Sequence, residues 1–405
     1  MRRISKPDYA LWAAVGLASL IGILAIWDSG YARAAANGQL LPRELLSQAM
    51  ILPFAILFGV FCSRIHAVTW QKLGIWLMAL TFLGLALVKV PGLGKEINGA
   101  QRWIDIGFMT IQPAEFAKLG SIVFLAAMLA CKAPWKQPKV RNWADYLDRI
   151  LIAKFVRALP FLVVCGAAFM VELEPDLATA SVIVVSALAM LVVGKVTTKS
   201  LVTVGLSFAL LAGFLVINQP YRLNRIVNHG DRWSAENVES IGYQTTQSEV
   251  AFASGGMIGV GLGQGRAKHT LPAPTTDFVL TTVGEEFGLI GALVVLGLLG
   301  FITFRLIAAA SRKKSMFGRL VLTGVGTWLG VQTVVNFMMV NGHFPPIGIP
   351  LPFMSSGGSS LLALWMAIGV CQSVIVYPDP VEREETNPKR ESRPAAVSER
   401  RAALR

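Results

Sequence analysis

The stretch TTDFVLTTVGEEFGLIGALVVLGLLGFITFR, residues 275–305, decides what kind of chain this is. Between Phe278 and Phe304 the only ionisable groups are Glu285 and Glu286, and everything after Gly288 is apolar or small. A helix needs about 20 apolar residues to cross the hydrocarbon core of a bilayer. The segment is therefore a membrane span, long enough to tilt or break. Similar runs begin near Ala10, Leu46, Leu73, Ala114, Phe155, Leu177, Ser200, Leu320 and Gly358. With the Phe278 run they predict an all-α polytopic membrane protein of about ten transmembrane helices, with a long outer loop between spans seven and eight.

Composition agrees. The 405 residues are 54% hydrophobic and only 15% charged, whereas soluble globular proteins carry about 25% charged residues. A water-soluble enzyme and a nucleic-acid-binding domain are both excluded. The net charge of +13 reflects where Lys and Arg fall. Eighteen lie in one set of short loops and four in the alternate set. Cytoplasmic loops carry the excess, which predicts both termini in the cytoplasm and accounts for the basic balance through lipid head groups, with no nucleic acid. The basic N-terminus and the apolar run behind it read as a first membrane helix rather than a cleaved signal. Residues 1–377 form the predicted membrane domain and 218–277 its long extracytoplasmic loop. Residues 378–405, mixed in charge and proline-containing, read as a disordered cytoplasmic tail.

Four cysteines and four histidines are scattered, without the spacing of a metal site or a disulfide framework. Chemistry is instead expected where ionisable groups approach the membrane, because such groups are costly there. Glu115 and Lys118 open the fourth span, Asp176 the sixth and Asp277 the eighth, with Glu285 and Glu286 about two turns deeper. All approach the face opposite the basic loops, so the active face is predicted to be the outer one.

Three segments on that face are unusual. Asn98 to Gly107, with Gln112 to Lys118 behind it, places Glu115 and Lys118 three residues apart, on one helix face. They either orient a substrate or form a structural ion pair. Trp103 either stacks on a substrate or anchors at the interface, and Arg102 beside it is a candidate cation for the same site. In the long loop, Gly255, Gly256, Gly259, Gly261, Gly263 and Gly265 permit a close approach to a ligand, and Arg266 and Lys268 suit phosphate or pyrophosphate. Glycines at this spacing without a strand–turn–helix unit are no dinucleotide site. The third segment, Phe344 to Ser360, has four prolines in nine residues and cannot be a continuous helix. Ser355, Ser356 and Gly357 then open the last span, where free N–H groups hold a phosphate or simply cap the helix.

Four strings carry a resemblance to a known family: NGAQRWIDIG with QPAEFAKL, YQTTQSEVAFASGGMIGVGLGQG, TTDFVLTTVGEEFGLIG and PPIGIPLPFMSSGGSS. In this order, from about Gly94 to Val376, they resemble the SEDS family (shape, elongation, division and sporulation), typified by RodA and FtsW. The glycine loop with Arg266 and Lys268 looks slightly more like the division branch. Departures stand at Thr276, where the family usually has His, at Ile347 and Ser356, usually Thr and Tyr, and at Glu249 and Val250, which replace a leucine-rich continuation.

The resemblance implies a peptidoglycan glycosyltransferase that polymerises lipid II on the outer face of the cytoplasmic membrane. It maps the family's essential Asp onto Asp277, the expected base. It also implies a class B penicillin-binding protein as partner. Undecaprenyl-pyrophosphate-linked glycan is the expected donor, because no nucleotide sugar reaches that face. The donor's pyrophosphate leaves room for a divalent cation, Mg or Mn, though no metal-binding residues are assigned. Asp277 could instead be the N-cap of the eighth span. Two other functional classes stay alive. A lipid-linked precursor flippase or transporter fits ten spans with buried charge but should need polar groups through the bilayer midplane; the carboxylates crowded at the outer side argue against it. The other is a non-catalytic scaffold for a transpeptidase.

Overall fold

In the computed structural model the described residues are 5–97, 99–107, 110–131, 152–196 and 198–377. The predicted tail, Asn98 and the basic residues from Lys132 to Arg149 lie outside them. The chain runs through α1 (Tyr9–Ala36), α2 (Arg43–Arg64) and α3 (Ala67–Val88), then strands β1 (Gly94–Ile97), β2 (Ala100–Asp105) and β3 (Thr110–Ile111). It continues with α4 (Pro113–Ala130), α5 (Ile152–Glu172), α6 (Leu177–Val193) and α7 (Thr198–Ile217). Three short helices follow, α8 (Pro220–Val227), α9 (Tyr243–Gly255) and α10 (Ala267–Thr270). The last four are α11 (Val279–Glu286), α12 (Gly288–Arg312), α13 (Met316–Val340) and α14 (Gly358–Val376).

Eight of the described helices are long and apolar enough to cross a membrane, and α6 and the described side chains of α5 form shorter apolar helices. Each of the ten expected starts falls on or next to one of these helices or α11. The run from Phe278 is not one helix. It breaks at Phe287 because Gly288 takes φ +65 and the next two N–H groups leave the helix ladder. Leu289 donates to the Gly256 carbonyl at 2.9 Å and Ile290 to that of Met257 at 3.2 Å.

The expected long loop of residues 218–277 contains α8, α9 and α10, so it is structured for much of its length. A second departure, from the all-α expectation, is the antiparallel sheet β1-β2-β3. It packs on the ends of α3 and α4 and delivers Arg102 to the end of the bundle that carries Asp277.

The bundle is layered by small residues, as membrane helices require when the bilayer is as apolar as their side chains. α4 and α14 each bury 78% of their apolar window, whereas α7 buries none of its own. The first two are thus central, and α7 faces its surroundings. α2 and α14 meet where a Cβ on Gly369 would stand 2.1 Å from the Gly59 carbonyl oxygen, a distance no side chain tolerates. At the end carrying the termini, Asp8 caps α1 through the Leu11 N–H at 3.0 Å and pairs with Arg305 at 2.6 Å.

Candidate functional site

Asp277 lies in the turn leading into α11. Phe278 holds the N-cap position and no side chain caps the helix, so the capping role that the sequence left open does not apply. Its main chain is pinned instead. The Asn336 side-chain amide donates to the Asp277 carbonyl at 2.9 Å and to the Ile349 carbonyl at 2.7 Å. Ser355 Oγ donates to the Thr276 carbonyl at 2.6 Å, and the Ser356 N–H to that of Thr275 at 2.8 Å. Three consecutive carbonyls are thus held by α13 and the proline-rich segment.

The carboxylate is left over: no described residue donates a hydrogen bond to it. It faces Gly348, at φ +78, where a Cβ would stand 3.5 Å from Oδ2. Burial pushes the carboxyl up to about 6; the like charge of Asp176 adds to this, and Arg225 and Arg102 oppose it. A carboxylate of this kind works as a base near neutral pH, and perturbed groups of this kind cluster at functional sites.

The cations around it come from separate elements. Arg102, on β2, donates from Nε to the Glu174 carbonyl at 2.8 Å and from Nη2 to that of Pro175 at 2.6 Å. Arg225, on α8, donates to the Pro346 carbonyl and lies 4.5 Å over the Tyr221 ring. Asp176 is the N-cap of α6. It accepts the Thr179 N–H at 3.0 Å and, on its other oxygen, the Gln112 amide at 3.4 Å. Trp103 is half-buried and pairs with Lys95 across the sheet; no described aromatic ring stacks on it.

Glu115 and Lys118 are ion-paired at 2.8 Å and almost wholly buried. Lys118 also sits 4.9 Å over the Trp328 ring, held in turn by the Trp328 Nε1–H to Gln332. With its ammonium enclosed on both sides, Lys118 supports the bundle beneath the site rather than reaching a ligand from it.

The structure corrects three expectations of ligand contact. Ser355, Ser356 and Gly357 do not offer their N–H groups to a phosphate. Their N–H groups go to Leu351, Thr275 and the Gln48 side chain, so these residues tie α14 to α2 and to the Asp277 turn. Lys268 is 4% exposed and bonded to Asp28 and Glu286, each at 2.7 Å, which removes it from any pyrophosphate. The glycine loop turns its donors inward as well. The Gly263 and Gly265 N–H groups go to Glu286 at 2.9 and 3.0 Å, and those of Arg266 and Ala267 to Glu285 at 3.0 and 2.8 Å. Glu285 and Glu286 are therefore clamps for this loop. The Arg266 side chain stays exposed.

Arg225, Asn336 and Gln112 belong to the site but were not singled out as site residues from the sequence. Arg225 is one of several basic residues in the long loop; only its proline-segment contact distinguishes it. Among the described residues no three His, Cys, Asp or Glu side chains come together to hold a metal.

The family model described as a cell cycle protein, FTSW_RODA_SPOVE, matches residues 8–378. A probable peptidoglycan glycosyltransferase FtsW of Allochromatium vinosum is 33% identical over 84% of this chain and 82% of its own length. Stage V sporulation protein E of Bacillus subtilis is 35% identical over 82% and 86%. Among solved structures, a chain of a peptidoglycan synthase complex coordinating polymerization and crosslinking superposes with a TM-score of 0.72 at 28% identity, covering 91% of this chain and 97% of that one. The rod shape determining protein RodA of Thermus thermophilus gives a TM-score of 0.65 at 26% identity over 92% and 97%. Fold, motif order and these likenesses agree: the chain is a multi-pass membrane protein of the SEDS family, leaning toward its FtsW-like branch.

Proposed function

We propose that this protein is a peptidoglycan glycosyltransferase that polymerises lipid II, with Asp277 as general base. One observation carries the role of Asp277. Its main chain is pinned at three carbonyls while its carboxylate is unbonded and its proton affinity raised. Protein charges are usually satisfied within the protein; one held rigidly and left unsatisfied is available to a substrate.

The reaction is an inverting displacement. The acceptor's sugar hydroxyl attacks the anomeric carbon of the lipid-linked donor, and its proton passes to Asp277. The bond to the pyrophosphate breaks, and undecaprenyl pyrophosphate leaves with the electron pair. Arg225, Arg102 and the exposed Arg266 give this end of the bundle positive charge for the pyrophosphate. A Mg or Mn ion would arrive with the pyrophosphate, since such ions are commonly held by one or two carboxylates plus substrate phosphates. Among the described residues no cluster of His, Cys, Asp or Glu side chains forms a site for it without the substrate.

The loop charges support a bundle with both termini cytoplasmic and the Asp277 end extracytoplasmic. The synthase-complex likeness supports a class B penicillin-binding protein as partner, with its transpeptidase domain on that side.

The test gives purified protein, alone and with a transpeptidase partner, lipid II in detergent. Muramidase-sensitive polymer from wild type and none from equally folded Asp277→Asn is the expected result. Equal polymer from both removes Asp277 from the mechanism. Polymer from neither, with the partner present, turns the assignment toward a flippase or a scaffold.

A further inference from the structure

A third acid stands beside Asp176, the carboxylate whose charge acts on Asp277. Glu174 lies in the tight loop between α5 and α6, where its own N–H and that of Asp176 both donate to the Val171 carbonyl, at 3.0 and 3.4 Å. Its side chain is 0% exposed, and neither carboxyl oxygen has a hydrogen-bond partner. The charged groups facing it are Asp176 at the start of α6, Lys89 at the end of α3 and Arg102 on β2. Neither cation bonds its carboxyl. Lys89 Nζ donates to the Leu173 carbonyl at 2.8 Å, and Arg102 is spent on the carbonyls of Glu174 and Pro175.

An ionised carboxylate enclosed without one hydrogen bond is among the costliest arrangements a protein can hold, and the group neutralises instead. Burial pushes Glu174 up to about 8, the nearby Asp176 adding to the effect. The loop is held in place regardless, by Arg102 through the carbonyls of Glu174 and Pro175.

We propose that Glu174 is a positioning residue that works as the neutral acid, its proton keeping a third negative charge away from Asp176 and Asp277 so that the site accepts an anionic donor. The inference rests on the glycosyltransferase reading. When Glu174 loses its proton, the added charge repels the donor's pyrophosphate. The alkaline decline then falls on KM for lipid II rather than on kcat.

The experiment measures polymerisation by the protein with its partner at varied lipid II, from about pH 6 to about pH 10. In wild type KM rises at least severalfold above about pH 8. Glu174→Gln, neutral at every pH and nearly isosteric, keeps neutral-pH activity within about twofold and lacks that rise. Glu174→Asp, shorter but still ionisable, retains it. An alkaline rise in Glu174→Gln equal to that of wild type overturns the proposal while leaving the polymerase reading intact. The failure of that reading shows separately, as Asp277→Asn polymerising like wild type. Should Glu174→Gln not fold, infrared difference spectra of the wild-type protein between about pH 7 and about pH 9 decide. They show the loss of a protonated-carboxyl band near the pH of the KM rise, and absence of that band overturns the proposal.

Discussion

Asp277 and the Glu285–Glu286 pair stand eight and nine residues apart in one stretch of chain, and the structure treats them oppositely. Asp277 has its backbone fastened and its carboxylate left unbonded. Glu285 and Glu286, one short helix later, have their carboxylates saturated. Glu286 accepts two backbone N–H groups and the Lys268 ammonium; Glu285 accepts two N–H groups and, at 3.3 Å, the Ser254 hydroxyl. Proximity to the site does not separate a reactive carboxylate from a structural one here. The number of donors already aimed at it does, because a carboxylate that has spent its lone pairs has none left for a substrate proton.

The sharpest way to break this contrast is the same isosteric change at both places. Asp277→Asn removes a base and disturbs no hydrogen bond that the protein makes. Polymerisation falls by about 10²–10⁴, while thermal stability in detergent stays at the wild-type value. Glu286→Gln should do the reverse. It leaves the Lys268 ammonium with Asp28 alone and faces the loop N–H groups with a weaker acceptor. Breaking a buried ion pair costs about 3–5 kcal/mol, read as a lowered melting temperature. If Glu286→Gln melts like wild type yet cannot polymerise, the division between reactive and structural carboxylates is wrong.

The pH profile separates the pair next. Asp277 must be ionised to act as base, and its carboxyl is pushed up to about 6. Activity is therefore low below about pH 6 and climbs with rising pH as the proton is lost. The same position makes a stability statement for Glu174 with a defined sign. Its folded-state value near 8 lies above the ordinary 4.5, so between these limits the folded protein holds a proton that the unfolded chain has lost. Stability then falls as pH rises across that window. Glu174→Gln removes this dependence, which melting curves of the two proteins at several pH values will register.

How much of this was legible beforehand follows from the range of each signal. Membrane spans depend on runs of about twenty residues and little else, so the apolar stretches fall on helices almost without exception. The β1-β2 hairpin escaped because its strands, GKEI and AQRWID, are short and carry no alternation. Yet Ile97 pairs with Ala100, leaving just Asn98 and Gly99 between them, and an Asn-Gly pair is a strong hairpin signal. Asp277 and Asp176 could be singled out because charges at membrane depth need a reason, and Arg102 because it stands beside Trp103 in an unusual outer segment. The destination of a donor could not. Lys268 looks like a phosphate ligand until Asp28, 240 residues earlier, is seen to take it. The glycines look like a ligand cradle until α11 folds back under them and presents Glu285 and Glu286. Both misreadings share a cause: a basic or N–H-rich stretch advertises an anion without saying whether the anion belongs to the protein.

The smallest expected effect tests whether the unbonded carboxylate is tuned by its surroundings as well as exposed by them. Arg225 holds Asp277 down electrostatically while its own hydrogen bond goes to the Pro346 carbonyl. Arg225→Gln deletes the charge, together with the contact over the Tyr221 ring, and retains a neutral side-chain donor. Without the cation the ionised form of Asp277 is less favoured, so the acid limb of the activity profile moves to higher pH. Activity on the plateau falls too, to the extent that Arg225 also meets the pyrophosphate, and that loss should appear in KM. An Arg225→Gln enzyme with an unmoved acid limb but raised KM would make Arg225 a substrate ligand alone. A moved limb with unchanged KM would make it a tuner of the base. Either result refines the contrast with Glu286, whose cation, Lys268, is locked into the protein and has no substrate to meet.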